Sequence, residues 1–336
     1  MAIFADMTLK DAHNRTIRDL RISLTDRCNF RCFYCLPNGE PPLARKATIL
    51  TFEEIVYLSE IFVLLGIEKI RLTGGEPMLR RNIETLVERL SKLKPGLKDL
   101  ALTTNGFDIV RKAKTLKEAG LDRMTISLDT LDTKRFREIT GSDSLADVLE
   151  AIEAAKINGF DPIKINAVIV RGVNDDELVD FARFARSNEI EMRFIEYMPL
   201  DSGHDWSREK VVRGREIFER INAVYPLQLK SATRGSETSW KYEFADGALG
   251  GIGIIAPVTE MFCGQCSRIR LTADGQIRTC LFSTVEHDLR DYLRSGATRS
   301  ELVEYIRAVT LKKEPSHRIS EPDFVPASRT MSFIGG

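Results

Sequence analysis

The chain has 336 residues, 43% hydrophobic and 29% charged, the make-up of an ordinary soluble globular protein with room for one large domain or two moderate ones. Basic and acidic side chains number 49 each, so the basic excess typical of nucleic-acid binders is missing and a nucleic-acid partner is disfavoured. There is neither an apolar run of about 18 residues nor a basic-then-apolar leader, so the expectation is a cytoplasmic protein with no membrane contact.

Residues 1–14 read as an N-terminal tail. An alternation of short β-rich runs and helical patterns follows. Strand runs rich in Ile, Leu, Val, Thr and Phe fall at 21–25, 69–73, 100–104, 123–128, 163–170 and 191–197. Helical patterns lie between them at 52–65, 82–93, 109–119, 144–158 and 175–187. Thr51 with Glu54 three places on fits a capping box, and Gly66, Gly120 and Gly159 stand where helices should end. Six βα units imply a parallel sheet with right-handed crossovers. Periodicity alone fits a doubly wound sheet and a whole or partial barrel equally well.

After Pro199 the rhythm breaks. Residues 201–207 read as a loop, 214–222 as a helix and 231–239 as a polar excursion. The stretch 240–282 is expected to be antiparallel, with strands at 240–244 and 252–255 and a hairpin of 268–272 with 276–280 across Ala273-Asp274-Gly275. Two helices, near 285–294 and 299–312, and a polar tail complete the chain.

Six cysteines without an export signal argue against a disulfide framework. They fall into two groups of three, at 28, 32 and 35 and at 263, 266 and 280, with none between. Metal or cluster ligation explains that grouping better than core packing does. Cys28, Cys32 and Cys35 follow directly on the first strand run, where parallel α/β folds bind ligands. No fourth cysteine follows, so a four-iron cluster on this set has one iron open to a cofactor. The rival is half of a structural zinc site.

Cys263, Cys266 and Cys280 repeat the theme. Cys280 closes the hairpin that begins just after Cys266, so the three can converge. A zinc knuckle would need a fourth ligand, whereas a second cluster with its own open iron accounts for all six cysteines. Arg268 and Arg270 are two apart on a strand and so share a face, a pairing suited to phosphate but also common on solvated strands. Thr73-Gly74-Gly75-Glu76-Pro77 ends the second strand run; alone it is a turn, and its glycines let backbone approach a ligand closely.

The C-x3-C-x2-C loop with an aromatic before its last cysteine, followed by Gly-Gly-Glu-Pro after the second strand, resembles the signature of the radical S-adenosylmethionine superfamily. Over residues 15–336 the chain is more closely similar to the GTP 3′,8-cyclase family of molybdenum cofactor biosynthesis. The likeness rests on the segments 21–28, 69–77, 103–106, 195–199 and 331–336. It implies a partial (βα)6 TIM-like barrel over 15–225, with a C-terminal antiparallel β plus helix extension over 226–336 that closes the barrel. Cys28, Cys32 and Cys35 would hold one [4Fe–4S] cluster, and Cys263, Cys266 and Cys280 a second. Tyr34, Gly75, Ser127 and Met198 would hold S-adenosylmethionine. Arg21, Arg71, Thr103, Lys164, Arg268 and Arg270 would meet GTP, with Thr104 an open alternative to Thr103. Gly335 and Gly336 would form a tail reaching into the active site.

The implied reaction is abstraction of the ribose 3′-hydrogen of GTP by a 5′-deoxyadenosyl radical, then attack on C8 to give 3′,8-cyclo-7,8-dihydro-GTP. An electron-donor protein of the flavodoxin or ferredoxin kind is the implied partner, and a homodimer is compatible. The alternatives are another radical enzyme of the superfamily acting on peptide or tRNA, and a zinc-stabilised binding module or electron carrier.

Overall fold

The computed structural model describes residues 8–36, 43–200, 205–327 and 329–335. Six strands, β1 (Asp19–Ser23), β2 (Lys69–Thr73), β3 (Asp99–Thr104), β4 (Arg123–Ser127), β5 (Lys164–Ile169) and β6 (Glu191–Glu196), pair in parallel in chain order. Crossover helices α1 (Phe52–Leu64), α2 (Ile83–Ser91), α3 (Ile109–Glu118), α4 (Thr133–Thr140), α5 (Leu145–Ile157) and α6 (Leu178–Asn188) cover the outside. Thr51 and Glu54 form the expected capping box on α1. Helix α4 was not anticipated. Its sequence is polar, but Asp132 accepts from the Arg135 N–H at its start, and Phe136 and Ile139 bury its inner face.

The strands alternate in a way that decides what the barrel is for. Leu20, Ile22, Ile70, Leu72, Leu100, Leu102, Met124, Ile126, Ile165, Met192 and Phe194 are buried in the main apolar core. The intervening positions are polar: Arg21, Arg71, Thr103, Thr125, Lys164, Asn166 and Arg193. Barrels of this kind usually fill their interior with branched apolar side chains. Here, in register across six neighbouring strands, stand Arg278, Arg270, Arg21, Arg71, Ala101 and Arg123, the first two from the C-terminal hairpin.

The C-terminal strands, expected to be antiparallel over 240–282, are so within their hairpins but join the barrel in parallel. They divide between the two open edges of the barrel. On one side β9 (Gly251–Ile255) joins β6 in parallel and carries β8 (Trp240–Phe244) and β7 (Leu227–Leu229) antiparallel to it. On the other, β10 (Arg268–Leu271) joins β1 in parallel, followed by β11 (Gln276–Arg278) and β12 (His287–Asp288). The β8–β9 and β10–β11 hairpins are antiparallel as expected; the joins to the barrel are parallel because each closes a long crossover. Strands β9 and β10 do not pair with each other among the described residues. Residues 256–267 instead run from one barrel edge to the other, and Cys263 and Cys266 ride on this connection. Helices α7 (Gly214–Asn222), α8 (Arg290–Arg294), α9 (Arg299–Thr310) and α10 (Met331–Ile334) complete the fold. The first helix after 285 is thus shorter than expected, because β12 occupies its first turn.

The segment before β1 is anchored. Leu9 is buried and its N–H donates to Leu65 O at 2.9 Å. Arg15 pairs with Asp11 at 2.5 Å and reaches the carbonyls of Cys263, Glu314 and Pro315. One buried guanidinium therefore ties the N-terminal segment to both sides of the second cysteine set.

Candidate active site

At the C-terminal ends of the barrel strands, the loop after β1 carries Cys28, Cys32 and Cys35. The turn after β2 packs directly on it: Gly75 N–H donates to Thr25 O and Glu76 N–H to Arg27 O, both at 2.7 Å. A Cβ on Gly75 would lie 2.1 Å from Arg27 O, so only glycine permits this contact. These N–H groups are committed to the neighbouring loop rather than to a ligand. Glu76 is buried and accepts from Thr104 Oγ1, Asn105 N–H and Met78 N–H at 2.7–2.9 Å. Burial pushes its carboxyl up to about 7 against those hydrogen bonds.

Thr104 is thereby spent on holding Glu76, whereas Thr103 faces the barrel interior and accepts from Arg71 at 3.0 Å. Asn105 Nδ2 lies 2.9 Å from Asn29 Oδ1 and 3.8 Å from Cys28 Sγ, and Phe30 N–H donates to the same sulfur at 3.4 Å. Tyr34 OH donates to Asp129 Oδ2 at 2.5 Å, while Asp129 Oδ1 accepts the Val168 N–H. Burial pushes Cys28 up to about 11; burial and then the Cys28 thiol push Cys35 up to about 12. Cys32 is raised by burial and then by Asp129, Cys35 and Cys28.

The second set lies at the other end of the chamber. Burial raises Cys266, but Arg268, Lys313 and Arg15 outweigh it and leave the thiol below its ordinary value. Cys280 stays raised by burial. Lys313 donates to Thr279 O, and Thr279 Oγ1 donates to Glu314 at 2.8 Å, so the segment after α9 grips the hairpin end that carries Cys280. Among the described residues no three His, Cys, Asp or Glu side chains converge on a point where a single metal ion would sit.

Between the two ends lies a cavity of about 1090 Å³ including its mouth, lined by Arg21, Arg71, Thr103, Met198, Arg268 and Arg270 together with Cys263, Cys266 and Cys280. It shares Arg21, Arg71, Arg193 and Arg268 with a second cavity of about 690 Å³ at the N-terminal strand ends, where Lys164 and Arg123 lie. Arg123 is paired with Asp99, and Lys164 lies 3.6 Å from Glu191. Among the described residues Arg21, Arg71, Arg268 and Arg270 have no carboxylate within ion-pair distance. Burial and then Arg270 hold Arg21 well below the usual arginine range, burial and then Arg21 bring Arg71 down to about 9, and burial brings Arg270 down to about 9. Burial followed by Arg193 takes Lys164 down to about 7. Such a concentration of buried like charge has the electrostatics that a polyanion would relieve.

The tail enters the same space. Arg270 donates to Gly335 O, and a Cβ on Gly335, at φ +84°, would lie 2.4 Å from Thr73 Oγ1. Gly336 lies outside the described residues. The sequence-predicted residues thus divide: Cys28, Cys32, Cys35, Tyr34, Gly75 and Ser127 sit at the strand C-termini, Arg21, Arg71, Thr103, Arg268 and Arg270 line the cavity of the second cysteine set, and Lys164 lines the adjoining one. Met198 and Gly335 stand between. Sequence reasoning missed Arg15, Asp129, Asn166 and Arg193. The period-two polar positions of the barrel strands carried the signal for the last two; nothing local marks the first two.

The Radical SAM superfamily model matches residues 22–185 and the Molybdenum Cofactor Synthesis C model residues 190–319. "GTP 3′,8-cyclase" of Streptomyces coelicolor is 45% identical over 330 residues, covering 98% of this chain and 96% of that protein. "GTP 3′,8-cyclase, mitochondrial" of Arabidopsis thaliana is 42% identical over 332 residues, covering 99% and 84%. The chain belongs to the GTP 3′,8-cyclase family. Among solved structures, Streptococcus suis SuiB bound to S-adenosylmethionine is similar with TM-score 0.59 at 17% identity, covering 88% of this chain and 69% of that one. Native anSMEcpe with bound AdoMet follows at TM-score 0.56 and 13% identity, covering 90% and 82%. These two share the barrel fold.

As a GTP 3′,8-cyclase family member and radical S-adenosylmethionine enzyme, the chain uses a [4Fe–4S] cluster and S-adenosylmethionine. The first cysteine loop fits that group. Its thiols are close enough to raise one another's pKa, Cys28 Sγ already accepts N–H contacts, and burial makes the three poor anions until iron displaces their protons. Among the described residues no helix is long and apolar enough to cross a membrane.

Proposed function

We propose that the chain converts GTP to (8S)-3′,8-cyclo-7,8-dihydroguanosine 5′-triphosphate, the first step of molybdenum cofactor biosynthesis. One observation carries the reading: a row of buried cations, without carboxylate partners among the described residues, faces the same cavity as the second cysteine set. A triphosphate would satisfy the cations, and Cys263, Cys266 and Cys280 would hold a second [4Fe–4S] cluster that could take a donor atom of the base.

Arg21, Arg71, Arg268 and Arg270 hold the phosphates, Lys164 supports them from the adjoining cavity and Thr103 adds a hydroxyl. At the other end Tyr34, Gly75, Ser127 and Met198 hold S-adenosylmethionine, with Asp129 fixing Tyr34. When bound and reduced there, that cofactor would supply the radical chemistry that removes the ribose 3′-hydrogen and allows bond formation at C8. The chain's own work is placement: it sets a sugar between two fixed ends of one barrel and keeps water away from it. Gly335, with Gly336 beyond it, brings backbone rather than side chain into the space between, where a larger residue would collide. The electron comes from a flavodoxin- or ferredoxin-like donor.

Reduced enzyme incubated with GTP and S-adenosylmethionine should release 5′-deoxyadenosine and a cyclised nucleotide in step, read by mass spectrometry. Absence of any GTP-dependent product would remove the assignment of substrate. Iron and labile sulfide matching one four-iron cluster per chain would remove the second cluster.

A further inference from the structure

The cations of the chamber suit phosphate, but they do not distinguish one base from another. On the wall beside Cys280, in the segment after α9, stands His317. It is 8% exposed, yet neither ring nitrogen has a hydrogen-bond partner among the described residues. The Pro257 carbonyl is near but does not meet hydrogen-bond geometry. Buried polar atoms without partners are uncommon and costly, and this residue leaves two.

The surroundings hold the ring rather than satisfy it. Phe282 meets it edge-on with centroids 5.2 Å apart, and an apolar cluster of Leu200, Phe282 and Ile319 backs the wall. The neighbouring cations are already directed elsewhere, Lys313 to Thr279 O and Arg270 to Gly335 O. His317 lines the cavity that holds the second cysteine set, and of the other lining residues described only Asn166, through Oδ1, also leaves a buried side-chain polar atom unmet; few unmet polar groups on a largely apolar wall are the pattern of a ligand-orienting contact. Neutral imidazole offers one donor and one acceptor, which a purine edge can match and a phosphate cannot.

We propose that His317 is a base-recognition residue: its ring hydrogen-bonds the edge of the purine lying against the second cysteine set and so decides which nucleoside triphosphate is accepted. This rests on the reading of the chamber as a GTP site. The arginine row holds the phosphates of any such ligand; His317 supplies the discrimination. A site that hydrogen-bonds a substrate group rejects analogues lacking it far more strongly than an apolar pocket does.

The test is equilibrium dialysis of anaerobic enzyme carrying its clusters, without S-adenosylmethionine, against GTP, ATP and inorganic tripolyphosphate. His317→Phe keeps a ring of similar shape and removes both nitrogens. It should weaken GTP binding about tenfold or more, bring the GTP-to-ATP ratio toward one and leave tripolyphosphate unchanged. His317→Gln, which restores a donor and an acceptor, should recover part of the preference. Unchanged GTP binding in His317→Phe, or equal losses for GTP and tripolyphosphate with normal iron content, would overturn the assignment and leave the GTP site intact. Wild-type enzyme that binds GTP no better than tripolyphosphate would overturn both.

Discussion

The two three-cysteine sites share a residue count and little else. Around Cys28, Cys32 and Cys35 the nearest ionisable groups are largely acidic or neutral, Glu76, Asp129 and Tyr34, and burial drives two of the thiols to about 11 and about 12. Around Cys266 the neighbours are Arg268, Lys313 and Arg15, and the thiol falls below its ordinary value. The first site draws positive charge from its cluster and from a sulfonium cofactor; the second sits in a field that welcomes more negative charge than the thiolates bring. On the proposed reading, charge environment, more than ligand spacing, separates the cofactor site from the substrate site.

The sharpest way to break this comparison is to remove one end. Cys280→Ser should abolish GTP-dependent product and about half the bound iron, while slow GTP-independent cofactor cleavage continues. Retention of all the iron would show that the second set carries no cluster. Arg270→Ala should lower kcat/KM for GTP by about two orders of magnitude and leave GTP-independent cleavage alone, since its guanidinium is buried in the chamber and lacks a carboxylate. Gly335→Ala, which forces a Cβ toward Thr73 and strains a backbone at φ +84°, should cost roughly tenfold in turnover with less effect on GTP binding. If GTP affinity fell instead, the tail would belong to the binding site.

At the cofactor end, Tyr34→Phe removes the donor to Oδ2 of the buried Asp129 carboxylate and leaves the Val168 N–H on Oδ1. A loss of about 1–3 kcal/mol in stability is expected from chemical denaturation, with little change in GTP binding.

The smallest effect concerns pH. Lys164 releases its proton at about 7 in the folded chain, against 10.5 ordinarily. The unfolded chain therefore binds the extra proton between these values, so stability rises with pH across that window. Lys164→Met should remove this slope and raise Tm by about 2–4 °C at neutral pH. Bound triphosphate favours the charged form, so the wild-type advantage in GTP affinity should be greatest below pH 7 and fade above it. A pH-independent difference between the two proteins would place Lys164 outside the phosphate field.

Much of this was determined by the sequence alone. The six βα units, the α1 capping box and the grouping of the cysteines follow from local periodicity, local hydrogen bonding and spacing, all of which short segments carry within themselves. What tertiary structure decided are matters of who neighbours whom. Periodicity shows that Arg268 and Arg270 share a face but not that β10 pairs with β1 and sets Arg270 beside Arg21. It does not show that β9 takes the opposite edge, so that residues 256–267 carry Cys263 and Cys266 across the gap between them. Adjacent threonines look alike in sequence; only the turn at Glu76 claims Thr104 and leaves Thr103 to the chamber. Arg15, Asp129 and His317 acquire meaning from partners, or the lack of them, that long-range packing alone sets.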